Sequence, residues 1–212
     1  MSIVLNCVAR ASSGKSASRK ARSQSLVPSV IYTKDGKNIN VSLYLIEIEN
    51  LLKDSHFYTK TLTLRVFPET CQDKIKKLGA EISEKPVAEY MVIPREAQFN
   101  VISDRPSHLD FAIVKKGDKV KVDVPVKLHN AEKNPVIRFG GSLLVLAYNV
   151  KIVCHVGDIP LQIDIDVSAT KSGQILRISD LTLPQNCSML KDRDIVKISG
   201  KRGSDTATEA SV

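Results

Sequence analysis

Six cations stand among residues 1–34, Arg10, Lys15, Arg19, Lys20, Arg22 and Lys34, with no aspartate or glutamate beside them. Four crowd into Lys15-Ser16-Ala17-Ser18-Arg19-Lys20-Ala21-Arg22. Ammonium and guanidinium groups neutralise phosphates, and the small Ser and Ala residues between them let a ligand backbone come close. The plain alternative is a solvated charged turn. Nothing acidic offsets this charge, however. The 212-residue chain has 31 Lys+Arg against 23 Asp+Glu, a net +8, so the other 178 residues carry only +2. A nearly neutral body with one cationic end is suited to an anionic partner: nucleic acid, acidic headgroups or acidic protein.

Other chemistry-bearing patterns are weaker. Ala9-Arg10-Ala11-Ser12-Ser13-Gly14-Lys15-Ser16 comes close to a phosphate-binding loop, but Ala9 stands where that motif needs glycine. The β-rich pattern downstream also lacks the alternating helices of a parallel nucleotide-binding sheet. Asp164 and Asp166 share a strand face, which could pair carboxylates; the solvated side of a half-exposed strand explains them better. His108 and Asp110 also share a face, with neither G-x-S-x-G nor a matching cysteine nucleophile, so they suit polar recognition rather than a triad. Cys7, Cys71, Cys154 and Cys187 are scattered without C-x-x-C and read as reduced, mostly buried thiols. Cys154 and His155, adjacent on one strand, point to opposite faces. The chain thus offers no catalytic, metal or cofactor site and no small-molecule substrate.

The elements that must position these groups are mostly strands. Residues 3–9 alternate as a strand, and 10–25 follow as a loop or short helix. Residues 26–32 form the next strand, which Pro28 limits to an edge or a late start. The turn Lys34-Asp35-Gly36-Lys37 leads into a hairpin partner at 39–45. A helix over 46–53 places Ile48, Leu51 and Leu52 on one face, and a strand over 58–66 turns Leu62, Leu64 and Val66 to one side. Residues 68–89 form a weakly patterned insertion, with Ile75, Leu78 and Ile82 at helical spacing. Strands over 90–93 and 109–114 close the first unit, and Lys115-Lys116-Gly117-Asp118 marks its boundary. Val120, Val122, Val124 and Val126, then Ile163, Ile165 and Val167, and then Ile175 and Ile178 make the second unit nearly all β. The expected divisions are 1–114, 115–199 and a mobile polar tail at 200–212. No run approaches the ~18 apolar residues of a membrane-spanning helix. A Ser- and Arg-rich, acid-free start also fits a mitochondrial transit peptide, but residues 2–9 alternate as a strand and the cationic stretch lacks an apolar helical face.

Several motifs occur in order along the chain. The first unit holds Arg10, Gly14-Lys15, Ala17-Ser18-Arg19-Lys20-Ala21-Arg22, Val27-Pro28-Ser29-Val30-Ile31-Tyr32, Phe57-Tyr58, Pro94-Arg95-Glu96-Ala97-Gln98 and Asp104-Arg105-Pro106-Ser107-His108-Leu109-Asp110-Phe111. The second holds Val122-Asp123-Val124-Pro125-Val126, Gly140-Gly141, Asp158-Ile159-Pro160, Ile165-Asp166-Val167-Ser168 and Ile178-Ser179-Asp180-Leu181-Thr182-Leu183-Pro184. The series resembles the bacterial 5S rRNA-binding large-subunit ribosomal proteins, in their long, two-domain general stress protein CTC form. The resemblance covers residues 3–187 and implies a mainly β fold: an N-terminal β-barrel with short helices, which binds 5S rRNA, then a C-terminal all-β domain. Carried over by position, the implied RNA-binding residues are Arg10, Lys15, Ser18, Arg19, Lys20, Arg22, Tyr32, Gln98, His108 and Asp110. It further implies a structural, non-enzymatic protein of the large ribosomal subunit, a monomer off the ribosome. Its setting would be cytoplasmic and ribosome-associated, or an organellar matrix if the source is eukaryotic.

Three departures stand out. Thr33 replaces the glycine usual after the tyrosine, Asn100-Val101 replaces a common His-Pro, and 68–89 is longer than the usual connection. The rival reading is a β-rich interaction module whose basic end contacts acidic protein or membrane.

Overall fold

A computed structural model describes residues 3–33, 35–71, 85–180, 186–190 and 192–200. The described residues of Met1–Val120 with His155–Ile159 form one compact unit, and those of Lys121–Cys154 with Pro160–Val212 a second. The expected helix around residues 75–82 and the tail beyond 200 lie outside the described residues.

In the first unit β1 (Ile3–Ala9), β2 (Leu26–Tyr32), β3 (Asn38–Tyr44), β4 (Leu62–Phe67), β5 (Ala88–Phe99) and β6 (Pro106–Ile113) close into a barrel of order β1-β3-β2-β6-β5-β4. The β1/β4 and β2/β6 pairs are parallel and the others antiparallel. Closure satisfies both sides of every strand and removes the free edges that would template aggregation.

The barrel's interior is written in the period of two. Leu5 and Cys7, Val27 and Ile31, Val41 and Leu43, Leu62, Leu64 and Val66, and Leu109 and Phe111 all point inward and are buried. Ile48 of α2 (Leu45–Leu52) and Phe57 of the short 3-10 turn Phe57–Thr59 complete that core. Burying each such side chain contributes about 1.5–3 kcal/mol. Desolvation pushes the Cys7 thiol up to about 12, and the thiol donates to the Arg65 carbonyl at 3.3 Å. It is an inert core group, as expected. Cys154 is likewise buried, while Cys187 is half-buried.

Four elements differ from their sequence-based expectation, each for a local reason. Tyr58 and Thr59 belong to the 3-10 turn, so β4 starts only at Leu62. Pro28 lies inside β2 rather than at an edge; it pairs opposite Ser42 of β3, while pairing with β6 begins only at Ser29. β5 runs twelve residues and passes straight through Pro94, because irregularities in its pairing with β6 fall at Pro94/Glu96 and again at Gln98/Phe99. β6 starts at Pro106, ahead of the expected Leu109.

The second unit holds a four-stranded sheet in the order β10 (Ile163–Asp166), β7 (Lys119–His129), β9 (Asn149–His155), β12 (Ser188–Met189). It also holds a three-stranded sheet of β11 (Ile175–Arg177), β13 (Asp194–Ser199) and β8 (Ser142–Val145). Val122, Val124, Ile152, Ile163, Ile165, Ile195 and Ile198 are buried. Asp164 and Asp166 face outward as expected, Asp164 against His129 at 2.8 Å and Asp166 accepting from the Ser168 amide at 2.9 Å. At the head of the short α3 (Pro135–Arg138), the fully buried Asn134 accepts from the Val136 amide and donates to the Val167 and Thr170 carbonyls.

Candidate nucleic-acid interface

The cationic stretch becomes helix α1 (Lys15–Ser23). Its entry is made by Gly14 at φ 109°, ψ −179°, a backbone conformation essentially restricted to glycine. The glycine that suggested a phosphate loop therefore serves as a chain turn, and the sheet beside it is a closed barrel of mixed strand directions. Ala21 is buried and Ala17 and Ser18 half-buried, so α1 lies on β2 through a face of small residues. Small residues bring its axis close to the barrel and leave Lys15, Arg19, Lys20 and Arg22 exposed. Lys20 and Arg22 in the last turn also complement the helix dipole.

Arg10 leaves β1 with its amide bonded to the Asn40 carbonyl at 3.0 Å. Its Nη1 donates to Ser18 Oγ at 3.3 Å, and its Nε is buried without a partner. Burial first, and the like charge of Arg22 second, hold the Arg10 guanidinium below its ordinary pKa. Two cations crowded together in this way favour an anion between or beside them.

A second group of residues lies on the outer face of β2, β6 and β5. The register sets Val30 opposite Asp110, Glu96 opposite Asp110 from the other side, and Gln98 opposite His108. Tyr32 OH donates to Asp110 Oδ2 at 3.4 Å. His108 Nδ1 lies 2.8 Å from Asp110 Oδ1 but off the line of a hydrogen bond, so that buried oxygen still has acceptor capacity. Gln98 Nε2 donates to Glu96 Oε1 at 3.5 Å. The Tyr32 phenol is raised above its ordinary pKa, first by what burial it has and then by Asp110 and Glu96.

Arg22 joins the two groups: its Nε donates to the Ser107 carbonyl at 3.1 Å, one residue before His108. All ten positions taken from the resemblance are thus described, six on or beside α1 and four on the neighbouring strands. Two participants were not singled out from sequence, Glu96 and Ser107. Glu96 follows a proline that reads as a strand end, and Ser107 takes part through its backbone; only continued alternation beyond Pro94 could have revealed the former. Of the departures, Thr33 closes the β2–β3 turn through Lys37, and Asn100 closes the β5–β6 hairpin, its amide bonded to the Arg105 carbonyl at 2.9 Å.

Among the described residues, no cluster of three or more His, Cys, Asp or Glu could hold a metal, and no helix is long and apolar enough to cross a membrane.

Comparison with known proteins gives two family matches along the chain. The Ribosomal L25p family matches residues 5–111, and the C-terminal domain of ribosomal protein TL5 matches residues 119–202. Among similar proteins, the large ribosomal subunit protein bL25 of Xanthobacter autotrophicus is 33% identical, covering 85% of this chain and 79% of the relative. That of Psychrobacter cryohalolentis is also 33% identical, covering 85% and 73%. That of Erythrobacter litoralis is 31% identical, covering 91% and 76%. With a closed barrel under the first match and an all-β unit under the second, the chain belongs to the Ribosomal L25p family, in the long form that carries a TL5-type C-terminal domain.

Proposed function

We propose that this chain is a structural, non-enzymatic constituent of the large ribosomal subunit that binds 5S rRNA through α1 and the outer face of β2, β6 and β5. The observation that carries the reading is the Arg22–Ser107 bond, which ties an acid-free cationic helix to a strand face bearing His108, Asp110, Gln98 and Tyr32. The relatives' name, large ribosomal subunit protein, supports the ribosomal part and a cytoplasmic, ribosome-associated setting.

The division of labour follows from charge. Arg10, Lys15, Arg19, Lys20 and Arg22 hold phosphates, with Ser18 beside them. A carboxylate repels phosphate, so Asp110 belongs against hydrogen-bond donors, such as base amino groups or 2′-hydroxyls exposed in the wide, shallow RNA groove. Tyr32 orients that carboxylate, with His108 beside it, and Gln98 offers both a donor and an acceptor.

Filter binding to a 5S rRNA transcript over a salt series tests the proposal. With five or six phosphates neutralised, log K falls against log salt with a slope on the order of −4 to −5. The Arg19→Ala/Lys20→Ala variant binds more weakly and loses about 1.4 to 1.8 from that slope, at ~0.7–0.9 per phosphate. Weak binding that is equal for both proteins and indifferent to RNA sequence would refute it.

A further inference from the structure

A cleft of about 150 Å³ opens between the C-terminal end of α1, the start of α2 and the β5–β6 hairpin. Its walls include the apolar Leu26, Val27, Leu45 and Pro106. Its charged groups are both cationic: Arg22, fixed by its bond to the Ser107 carbonyl, and Arg105, whose Nε is 3.7 Å from Glu49. The hairpin that forms one side is tightly made. The Asp104 amide bonds the Asn100 carbonyl at 2.8 Å, the Ile102 amide bonds Asn100 Oδ1 at 2.9 Å, and Asp104 takes a left-handed turn at φ 52°.

Size and chemistry together narrow the occupant. Pockets for metabolites and drug-sized ligands run to roughly 300–1,000 Å³, whereas an aliphatic-lined void of about 150 Å³ accepts a single six-membered aromatic ring. An apolar peptide side chain would fit the walls but would gain nothing from two guanidinium groups. A pyrimidine nucleotide uses both, with its flat ring on the apolar walls and its phosphates on the arginines. The cleft is also continuous with the strand face, because Ser107 lines it while donating through Oγ to the Gln98 carbonyl at 3.1 Å.

We propose that this cleft seats one unpaired pyrimidine base of the bound RNA, with the adjoining phosphates held by Arg22 and Arg105. The proposal rests on the RNA-binding reading above, shares Arg22 with it, and adds a base-specific contact on Leu26, Val27, Leu45 and Pro106, which that reading does not use. An unpaired base is the economical occupant, since it needs little or no unstacking to be presented.

Two measurements on the full-length protein test it. Ser103, exposed at the mouth of the cleft, is replaced in Ser103→Phe so that the aromatic ring fills the seat. Affinity for the 5S rRNA transcript then falls about tenfold, the scale of losing one base contact, with the salt slope unchanged because no phosphate contact is lost. Separately, the unaltered protein is irradiated with transcripts carrying 4-thiouridine or 5-iodocytidine, and adducts are mapped by mass spectrometry; they are expected within residues 100–107. Unchanged affinity of the Ser103→Phe variant, or no adduct at 100–107 from either transcript, overturns the proposal even while the protein binds RNA. Failure of the unaltered protein to bind 5S rRNA would instead sink the underlying function.

Discussion

Asp110 accepts the Tyr32 hydroxyl through Oδ2, and the His108 ring lies 2.8 Å from its Oδ1. That Asp110 and His108 share a face follows from their spacing of two and was legible in the sequence. That Tyr32 joins them was not, because only the parallel β2–β6 register brings its strand alongside. The arrangement has a titration consequence. Tyr32 is raised above its ordinary pKa, so the folded chain holds this proton more tightly than the unfolded chain. Its contribution to stability is therefore complete below the unfolded tyrosine value near 10 and is lost as pH rises through the higher folded value. Ultraviolet difference titration of the protein against a Tyr32→Phe variant isolates this phenol. It ionises above the ordinary value in the native protein and moves back toward it in Asp110→Asn, where Asp110's negative charge is gone. An unchanged titration in Asp110→Asn would show that the shift comes from burial and Glu96, without Asp110.

At the scale of elements, α1 carries four of the six cations of residues 1–34 yet has almost no apolar surface to hold it. Its placement depends on the small face of Ala17, Ser18 and Ala21 and on the turn at Gly14. Nothing lies within 4 Å of a Cβ built at Gly14, so Gly14→Ala meets no clash and its cost is purely backbone strain. That cost is about 1–3 kcal/mol. A fall in the thermal midpoint together with weaker 5S rRNA binding is the expected result; an unchanged midpoint would mean that the chain enters α1 another way. The sequence allowed either a loop or a short helix here, since nine residues of Ser, Ala, Lys and Arg have modest intrinsic helicity and no apolar stripe. Contact with β2 settles the choice. β5 shows the opposite failing: Pro94 reads as a strand end, but the bulge beside it lets the strand continue and set Glu96 opposite Asp110 and Gln98 opposite His108.

For the molecule as a whole, the chain divides into two compact units, the second organised partly by the buried Asn134. Replacing it in Asn134→Ala removes an N-cap, takes the side-chain donor from the Thr170 carbonyl and leaves the Val167 carbonyl only the Thr170 amide, at about 2–4 kcal/mol. Hydrogen exchange should quicken in β10 and α3, while 5S rRNA affinity, assigned to the barrel, stays as it was. A matching loss of RNA affinity would show that the second unit takes part in binding. By itself the sequence determined the mainly β character, most inward-facing residues and the cationic end, because alternation and charge are local properties of the chain. Only the tertiary structure decided the barrel's strand order, the passage of β5 through Pro94, the union of α1 with the strand face through Arg22 and Ser107, and the cleft beside them. Those depend on which distant strands pair and in what register, and that is fixed by burial of the whole core rather than by any one segment.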